Sequence, residues 1–303
     1  MKIGQTIKER GASLSFEFFP PSDKAGEDRL IANIAKLGIL NPTFVSVTYG
    51  AGGSALKNTR QVTLRIQSET SLVPMPHLTC FNRNRDELKA ILEDYRSLGI
   101  ENLLALRGDL PEEAEKFTPS KDSFCYAEDL VQLAASLSAF SIGVAVYPEG
   151  HCESPNLEID MNYAKRKIDA GADFAMTQMF FDNRYFYDFI ERSTKAGIKI
   201  PIMPGIMPIA NINKIREFGK KCGATVPERI IQRFERFGST TEEARKVGIE
   251  VATEQCADLL ENGVHYFHFY ALNQGDVIFQ IVNNLGLQNQ EPKRLESSAW
   301  PGA

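Results

Sequence analysis

Little in this chain suits a nucleic-acid surface, a membrane span or a disulfide scaffold. Acidic residues outnumber basic ones, 39 against 34, for a formal net charge of −5. A surface that neutralises phosphates needs the opposite balance. No stretch approaches the roughly 20 consecutive apolar residues of a membrane helix. The opening residues, with Lys2, Lys8, Glu9 and Arg10, have no apolar centre of the kind a secretory signal requires. The five cysteines, Cys80, Cys125, Cys152, Cys222 and Cys256, are odd in number and widely spaced, with no C-x-x-C pair. That argues against a disulfide framework, a zinc ribbon and a dithiol redox centre. The expectation is a protein of the reducing cytoplasm, with no metal and neither nucleic acid nor membrane as partner.

What is present is an ordinary globular composition, 43% hydrophobic and 24% charged over 303 residues. Eight strand-like runs recur, each followed by a helical pattern: Ser13–Phe19, Phe44–Gly50, Met75–Cys80, Asn102–Asp109, Ser141–Pro148, Phe174–Asp182, Ile200–Pro208 and Tyr266–Asn273. Between them, stretches such as Arg85–Leu98 and Ile159–Ala170 carry apolar residues at helical three-and-four spacing. Gly38, Gly99, Gly171 and Gly197 stand where helices need C-terminal caps. Strand followed by helix, eight times over, predicts an α/β fold, a closed (β/α)8 TIM barrel. The long segment before the last strand should hold one extra helix, within Pro227–Phe237. Residues 1–287 are expected to form a single catalytic barrel and 288–303 a polar, mobile tail.

In such a barrel the chemistry sits where the strands end. Glu17, Thr48, His77, Arg107, Asp109, Tyr147, Glu149, Gln178, Asp182, Tyr270 and Asn273 lie at those ends. Alternation puts Glu17 on the opposite strand face from Phe16 and Phe18, pointing inward, where desolvation should raise its pKa toward general-acid use. A structural carboxylate paired with an interior Arg or Lys is the alternative. Arg107-Gly108-Asp109 is either a turn held by an Arg–Asp pair or a loop whose glycine admits a flat ligand. His77 alone reads as a buried, hydrogen-bonded histidine, and His265 and His268 face opposite sides of a strand, so no metal pair is expected. Gly50-Ala51-Gly52-Gly53-Ser54-Ala55 matches a dinucleotide fingerprint formally, but the next strand lacks the ribose-binding acid. Lys165-Arg166-Lys167 is either a solvated helix face or a phosphate site.

Several motifs in order resemble the methylenetetrahydrofolate reductase family: Ser15-Phe16-Glu17-Phe18-Phe19-Pro20-Pro21, Phe44-Val45-Ser46-Val47-Thr48-Tyr49-Gly50-Ala51, Pro76-His77-Leu78-Thr79-Cys80 and Leu106-Arg107-Gly108-Asp109-Leu110-Pro111. They continue with Tyr147-Pro148-Glu149-Gly150-His151, Thr177-Gln178-Met179-Phe180-Phe181-Asp182, Pro204-Gly205-Ile206-Met207-Pro208 and Phe267-His268-Phe269-Tyr270. The resemblance runs from about Ser13 to Leu287 and is to the short bacterial form. It implies a homo-oligomeric barrel that binds FAD, takes electrons from NADH or NADPH, and passes them to a folate. Glu17 would then be the general acid, and Asp109 would hold the pterin and adjust the flavin. Gln178, Lys214, Phe218 and Gln274 would complete the folate site. The matching FAD positions are Thr48, His77, Arg107, Gly108, Asp109, Tyr126, Ala127, Tyr147, His151, Asp160, Arg166 and Lys167. Better-known bacterial members carry Gln where Lys214 stands, Arg where Gln274 stands and Asn where Tyr163 stands.

Two rivals remain from the residues alone. A flavin-free barrel lyase would need a Schiff-base lysine or a metal cluster at the strand ends, and none of the eight runs contains a lysine. A non-catalytic binding barrel leaves Glu17, Asp109 and Gln178 without a purpose.

Overall fold

Every strand pairing in the computed structural model is parallel, and the ring they form closes on itself. The structure describes residues 1–49, 55–109, 122–237 and 241–287. In chain order the described elements begin with α1 (Ile3–Arg10), β1 (Ser13–Phe18), α2 (Lys24–Leu37), β2 (Phe44–Val47), α3 (Ala55–Glu69), β3 (Pro74–Thr79), α4 (Arg85–Ser97) and β4 (Asn102–Leu106). They continue with α5 (Ala127–Ser136), β5 (Ser141–Val146), α6 (Leu157–Asp169), β6 (Phe174–Thr177), α7 (Asn183–Lys195), β7 (Ile202–Met203) and β8 (Gly205–Ile206). Last come α8 (Ile212–Cys222), α9 (Glu228–Glu235), α10 (Glu242–Glu261), β9 (Tyr266–Tyr270) and α11 (Gly275–Asn284). This is the expected (β/α)8 barrel.

The seventh strand differs from expectation. Ile200–Pro208 is not continuous: β7 pairs with β6, β8 pairs with β9, and Pro204 separates the two halves. A proline has no N–H for a ladder, but its carbonyl accepts from His268 N at 3.0 Å, so the ring closes across the break. Gly205 then packs hard against β6, its N–H donating to Thr177 Oγ1 at 2.8 Å. A Cβ there would lie 2.3 Å from the Thr177 carbonyl oxygen and 2.8 Å from the Tyr270 ring. Gly205→Ala is therefore expected to destabilise the barrel by at least ~2 kcal/mol, readable as a lowered urea midpoint. An unchanged midpoint would mean that the two strand halves can slide apart freely.

Strand alternation divides the core in two. Outward residues such as Phe16, Phe18, Val45, Val47 and Leu78 pack under the helices. Inward residues Phe44, Met75, Leu104, Phe174, Met176, Met203 and Tyr266 fill the N-terminal half of the barrel, and Ile3 and Ile7 join them from α1. That plugging helix was not foreseen from the sequence. Its Ile3 N–H donates to Asn102 Oδ1 at 2.8 Å, which ties it to the start of β4. With this end filled by apolar side chains, polar chemistry is left to the opposite end.

Three smaller differences have local causes. The extra helix expected within Pro227–Phe237 is α9, and α8 is a further one before the barrel helix α10. The strands that begin at Phe44, Asn102, Phe174 and Tyr266 end at Val47, Leu106, Thr177 and Tyr270, earlier than expected. Gly99, Gly171 and Gly197 do take positive φ, but Gly38 stays helical at −55°, and Asn41, at φ 48°, turns the chain after a short 3-10 turn. Gly50–Ser54 and the tail from 288 lie outside the described residues.

Candidate active site

Glu17 lies inside the ring, as alternation requires, and is only 7% exposed. Three groups from neighbouring strands converge on its Oε2: Ser46 Oγ on β2 at 3.5 Å, His77 Nε2 on β3 at 3.3 Å and His268 Nε2 on β9 at 3.3 Å. His268 forms a hydrogen bond, whereas His77 stands close but off the bonding direction and leaves its Nε2 without a partner. An ionised carboxylate only accepts, so His268 Nε2 donates and its Nδ1 faces Ser15 Oγ at 2.8 Å. The parallel register sets Ser15 beside His268 and Glu17 beside both Ser46 and Tyr270.

This cluster overturns the expected raised pKa. Burial does push the Glu17 carboxyl upward, and that is the largest single influence, but the two histidines together outweigh it and bring the value from 4.5 down to about 2. The carboxylate is inward-facing as expected, and its partners are two histidines rather than the interior Arg or Lys of the structural alternative. A group whose folded pKa lies below its unfolded value stabilises the fold above the unfolded value, and the contribution is lost as pH falls from about 4.5 toward about 2. Glu17→Gln should flatten the acid limb of unfolding in that window. An unaltered limb would show that the histidines do not hold the carboxylate.

A cavity of about 450 Å³ opens between the ends of β4 and β5 and the helices α5 and α6. Arg107, Tyr126, Ala127, Tyr147, His151, Asp160, Arg166 and Lys167 all line it. The loop from β5 is folded by Asp160, which accepts from His151 N at 3.1 Å and from Ser154 Oγ at 2.8 Å. The His151 ring meets the Tyr147 ring edge-on, with centroids 4.7 Å apart. Arg107 forms a two-pronged pair with Glu153 at 2.5 and 2.7 Å, so the expected Arg–Asp turn is replaced by a bridge to the β5 loop. Gly108 takes φ 94° immediately after it.

The basic run divides three ways. Lys165 pairs with Asp169 on the solvated face at 2.8 Å, Arg166 reaches Glu128 on α5 at 2.6 Å, and Lys167 turns into the cavity. Its stem is partly exposed while its ammonium is enclosed, donating to Ala145 O beneath the Tyr147 ring. Burial lowers the Lys167 pKa from 10.5 to about 8, with Asp160 holding against the change.

The other proposed residues are more scattered. Thr48 is buried, and its hydroxyl has no partner. Asp109 is exposed, with its charge felt at Arg107, Tyr147 and Cys222. Gln178 Oε1 accepts from Met179 N at 2.9 Å. Lys214 and Phe218 stand on the exposed side of α8, and Gln274 precedes α11; none of the three lines the cavity. Asp182, Tyr270 and Asn273 serve the framework: Asp182 holds Arg184 and Arg229, Tyr270 donates to Thr177 O, and Asn273 brackets the Phe19 backbone. His268 and Ser15 were missed. Only strand register brings them to Glu17.

The family model described as methylenetetrahydrofolate reductase matches residues 2–286. The chain belongs to the methylenetetrahydrofolate reductase family. Curated relatives named 5,10-methylenetetrahydrofolate reductase include those of Salmonella typhimurium, 40% identical, and Escherichia coli, 39% identical, each over 91% of both chains. The plant relative from Arabidopsis thaliana named methylenetetrahydrofolate reductase (NADH) 1 is 36% identical over 99% of this chain, which spans 52% of that longer protein. Among solved structures, a Clostridium thermocellum protein that binds two copies of 5-methyl-5,6,7,8-tetrahydrofolic acid matches with a TM-score of 0.62 at 11% identity, covering 94% of this chain and 99% of that one. Dihydropteroate synthase from Xanthomonas albilineans matches at 0.51 and 12%, covering 93% and 95%. At those identities both speak for the barrel alone. Among the described residues of this reductase-family chain, no helix is long and apolar enough to cross a membrane.

Proposed function

We propose that this chain reduces 5,10-methylenetetrahydrofolate to 5-methyltetrahydrofolate with electrons from NADH or NADPH carried by FAD, in two successive half-reactions that supply methyl groups for methionine synthesis. The observations that carry this reading are a carboxylate held between two histidines in the barrel lumen and a cavity at the ends of β4 and β5 walled by Arg107, Arg166 and Lys167. The residues fit the cofactor. Three cations suit a pyrophosphate, and the buried Thr48 hydroxyl, which has no protein partner, suits a ligand's polar edge. Bound there, FAD supplies hydride transfer between nicotinamide and folate.

Arg166 and Lys167 would hold the phosphates, while Tyr126, Ala127, Tyr147, His151 and Arg107 shape the wall around them. Asp160 acts through the loop it folds. Glu17 gives a proton to the folate nitrogen as the bridging methylene opens to an iminium. Its Oε1, not engaged by the three groups on Oε2, faces the substrate. Because the histidines hold Glu17 as a carboxylate, it must first take up a proton along its contacts with His77 and His268 before it gives one to the folate nitrogen. Asp109 and Gln178 orient the pterin, the exposed Phe218 ring covers whichever flat ligand is present, and Lys214 and Gln274 meet the folate's glutamate end.

The depressed pKa of Lys167 would also suit a Schiff-base lyase, but a carbonyl needs no second cation at Arg166. An anaerobic absorption titration decides between them. Flavin bleached by NADH and restored by methylenetetrahydrofolate supports the reductase. A protein that takes up no FAD ends that reading and leaves the lyase.

A further inference from the structure

We propose that Cys152 and Cys222 are a reversible thiol–disulfide pair at the mouth of the barrel, a modification site that, when oxidised, pins the end of α8 to the loop after β5. Two contacts already bring these segments together. Gly223, the left-handed cap of α8 at φ 74°, packs so closely on that loop that a Cβ on it would lie 3.8 Å from Cys152 N and 3.9 Å from Cys152 Cβ. Glu149, just after β5, accepts from Thr225 N with both carboxylate oxygens, at 3.0 and 3.1 Å, and so holds the chain beyond α8. A disulfide spans about 3.5–4.5 Å between Cβ atoms. Cys222 is the residue before Gly223, so closure needs a local turn at the helix end.

The two thiols differ in a way that gives each a part in the exchange. Cys152 is exposed, between His151 and Glu153, while Cys222 is half-buried. Burial first, then the charges of Asp109 and Cys152, push the Cys222 thiol up, and the hydroxyls of Tyr147 and Tyr270 feel Cys222 in turn. Cys222 therefore faces the barrel mouth and shares it with Cys152. Where a compartment is reducing, such a bond is transient and sensing rather than structural. The oxidant is a small-molecule disulfide of the glutathione class. The exposed Cys152 thiolate attacks one of its sulfurs and releases one small thiol, leaving a mixed disulfide. The Cys222 thiolate then attacks the Cys152 sulfur and releases the second. The protein thiols lose two electrons, the small disulfide gains them, and both protons end on the released thiols. Because α8 carries Lys214 and Phe218 while the loop carries His151, a wall of the cavity, the bond opposes any movement of α8 as one flat ligand replaces the other. The bond itself does not depend on the FAD reading above, whereas its effect on turnover rests on it.

The purified holoprotein and its Cys152→Ser and Cys222→Ser variants are incubated with oxidised glutathione, then alkylated and digested without reduction. The intact mass of the wild type should fall by two hydrogens, its digest should hold one linked peptide pair containing residues 152 and 222, and dithiothreitol should reverse both changes. Cys222→Ser should stop at glutathione on Cys152, and Cys152→Ser should form no such link. Anaerobic rapid mixing then compares oxidised with reduced wild type. The return of flavin colour with methylenetetrahydrofolate should slow by roughly ten- to a hundredfold, the scale set by a displacement of about 1 Å. Wild type that stops at the mixed disulfide, or that links another cysteine, overturns the pair. A link that leaves the folate step unchanged overturns the pin. If flavin is neither bound nor bleached, the FAD reading fails while the mass measurement still decides the pair.

Discussion

Glu17→Gln should leave the bleaching of bound flavin by NADH near its wild-type rate while slowing the return of colour with methylenetetrahydrofolate by about 10²–10⁴-fold, the usual worth of a positioned acid. Glutamine keeps the volume and an oxygen for His268 to donate to, so the lumen should stay packed. What it loses is the ability to carry a proton from the histidines to the folate nitrogen. The two half-reactions separate the causes, because only the second needs protonation of the substrate. Rapid-mixing absorbance under anaerobic conditions reads both. Equal slowing of the two would mean that Glu17 matters for ligand placement and not for proton delivery. If neither slows, the acid lies elsewhere.

Lys167→Met is the second large effect. The methionine fills the enclosed channel beside Tyr147 but cannot give the charge-assisted bonds that a phosphate would take, each worth about 1.5–3 kcal/mol, so FAD should bind roughly 10- to 150-fold more weakly. The wild type should also lose FAD affinity as pH rises through about 8, where burial has brought the Lys167 pKa, because the deprotonated amine no longer opposes the phosphate charge. The variant should lack that particular fall. Calorimetric titrations at several pH values check both statements. A variant with wild-type affinity would assign the pyrophosphate to Arg166 alone.

The two effects arise from features of very different visibility in the chain. That Glu17 points inward is visible from its neighbours, because a strand with Phe16 and Phe18 on one face must present residue 17 on the other. That its pKa falls was hidden. Burial alone argued the opposite, and the deciding partners come from β3 and β9, with His268 251 residues away. Likewise, Lys165-Arg166-Lys167 reads as a basic run, yet the helix turns each side chain about 100° from the last. Lys165 ends in solvent, while Arg166, tied to Glu128, and the enclosed Lys167 both line the cavity. Arg107 looked like half of a local turn and instead bridges to Glu153 on the loop after β5.

By itself the sequence determined the repeating strand and helix units, the barrel they imply, the end of the barrel that carries polar groups, and the family. All of these follow from local periodicity and from short motifs, which need no knowledge of distant neighbours. Only the tertiary structure decided which residues surround Glu17, where the seventh strand breaks, that α1 plugs the N-terminal mouth, and which of three adjacent cations line the cavity. Each of those depends on strand register and on the close packing of segments far apart in the chain. A pKa or a salt bridge is set by whichever charge arrives within a few ångströms, and the linear order of residues does not record that distance.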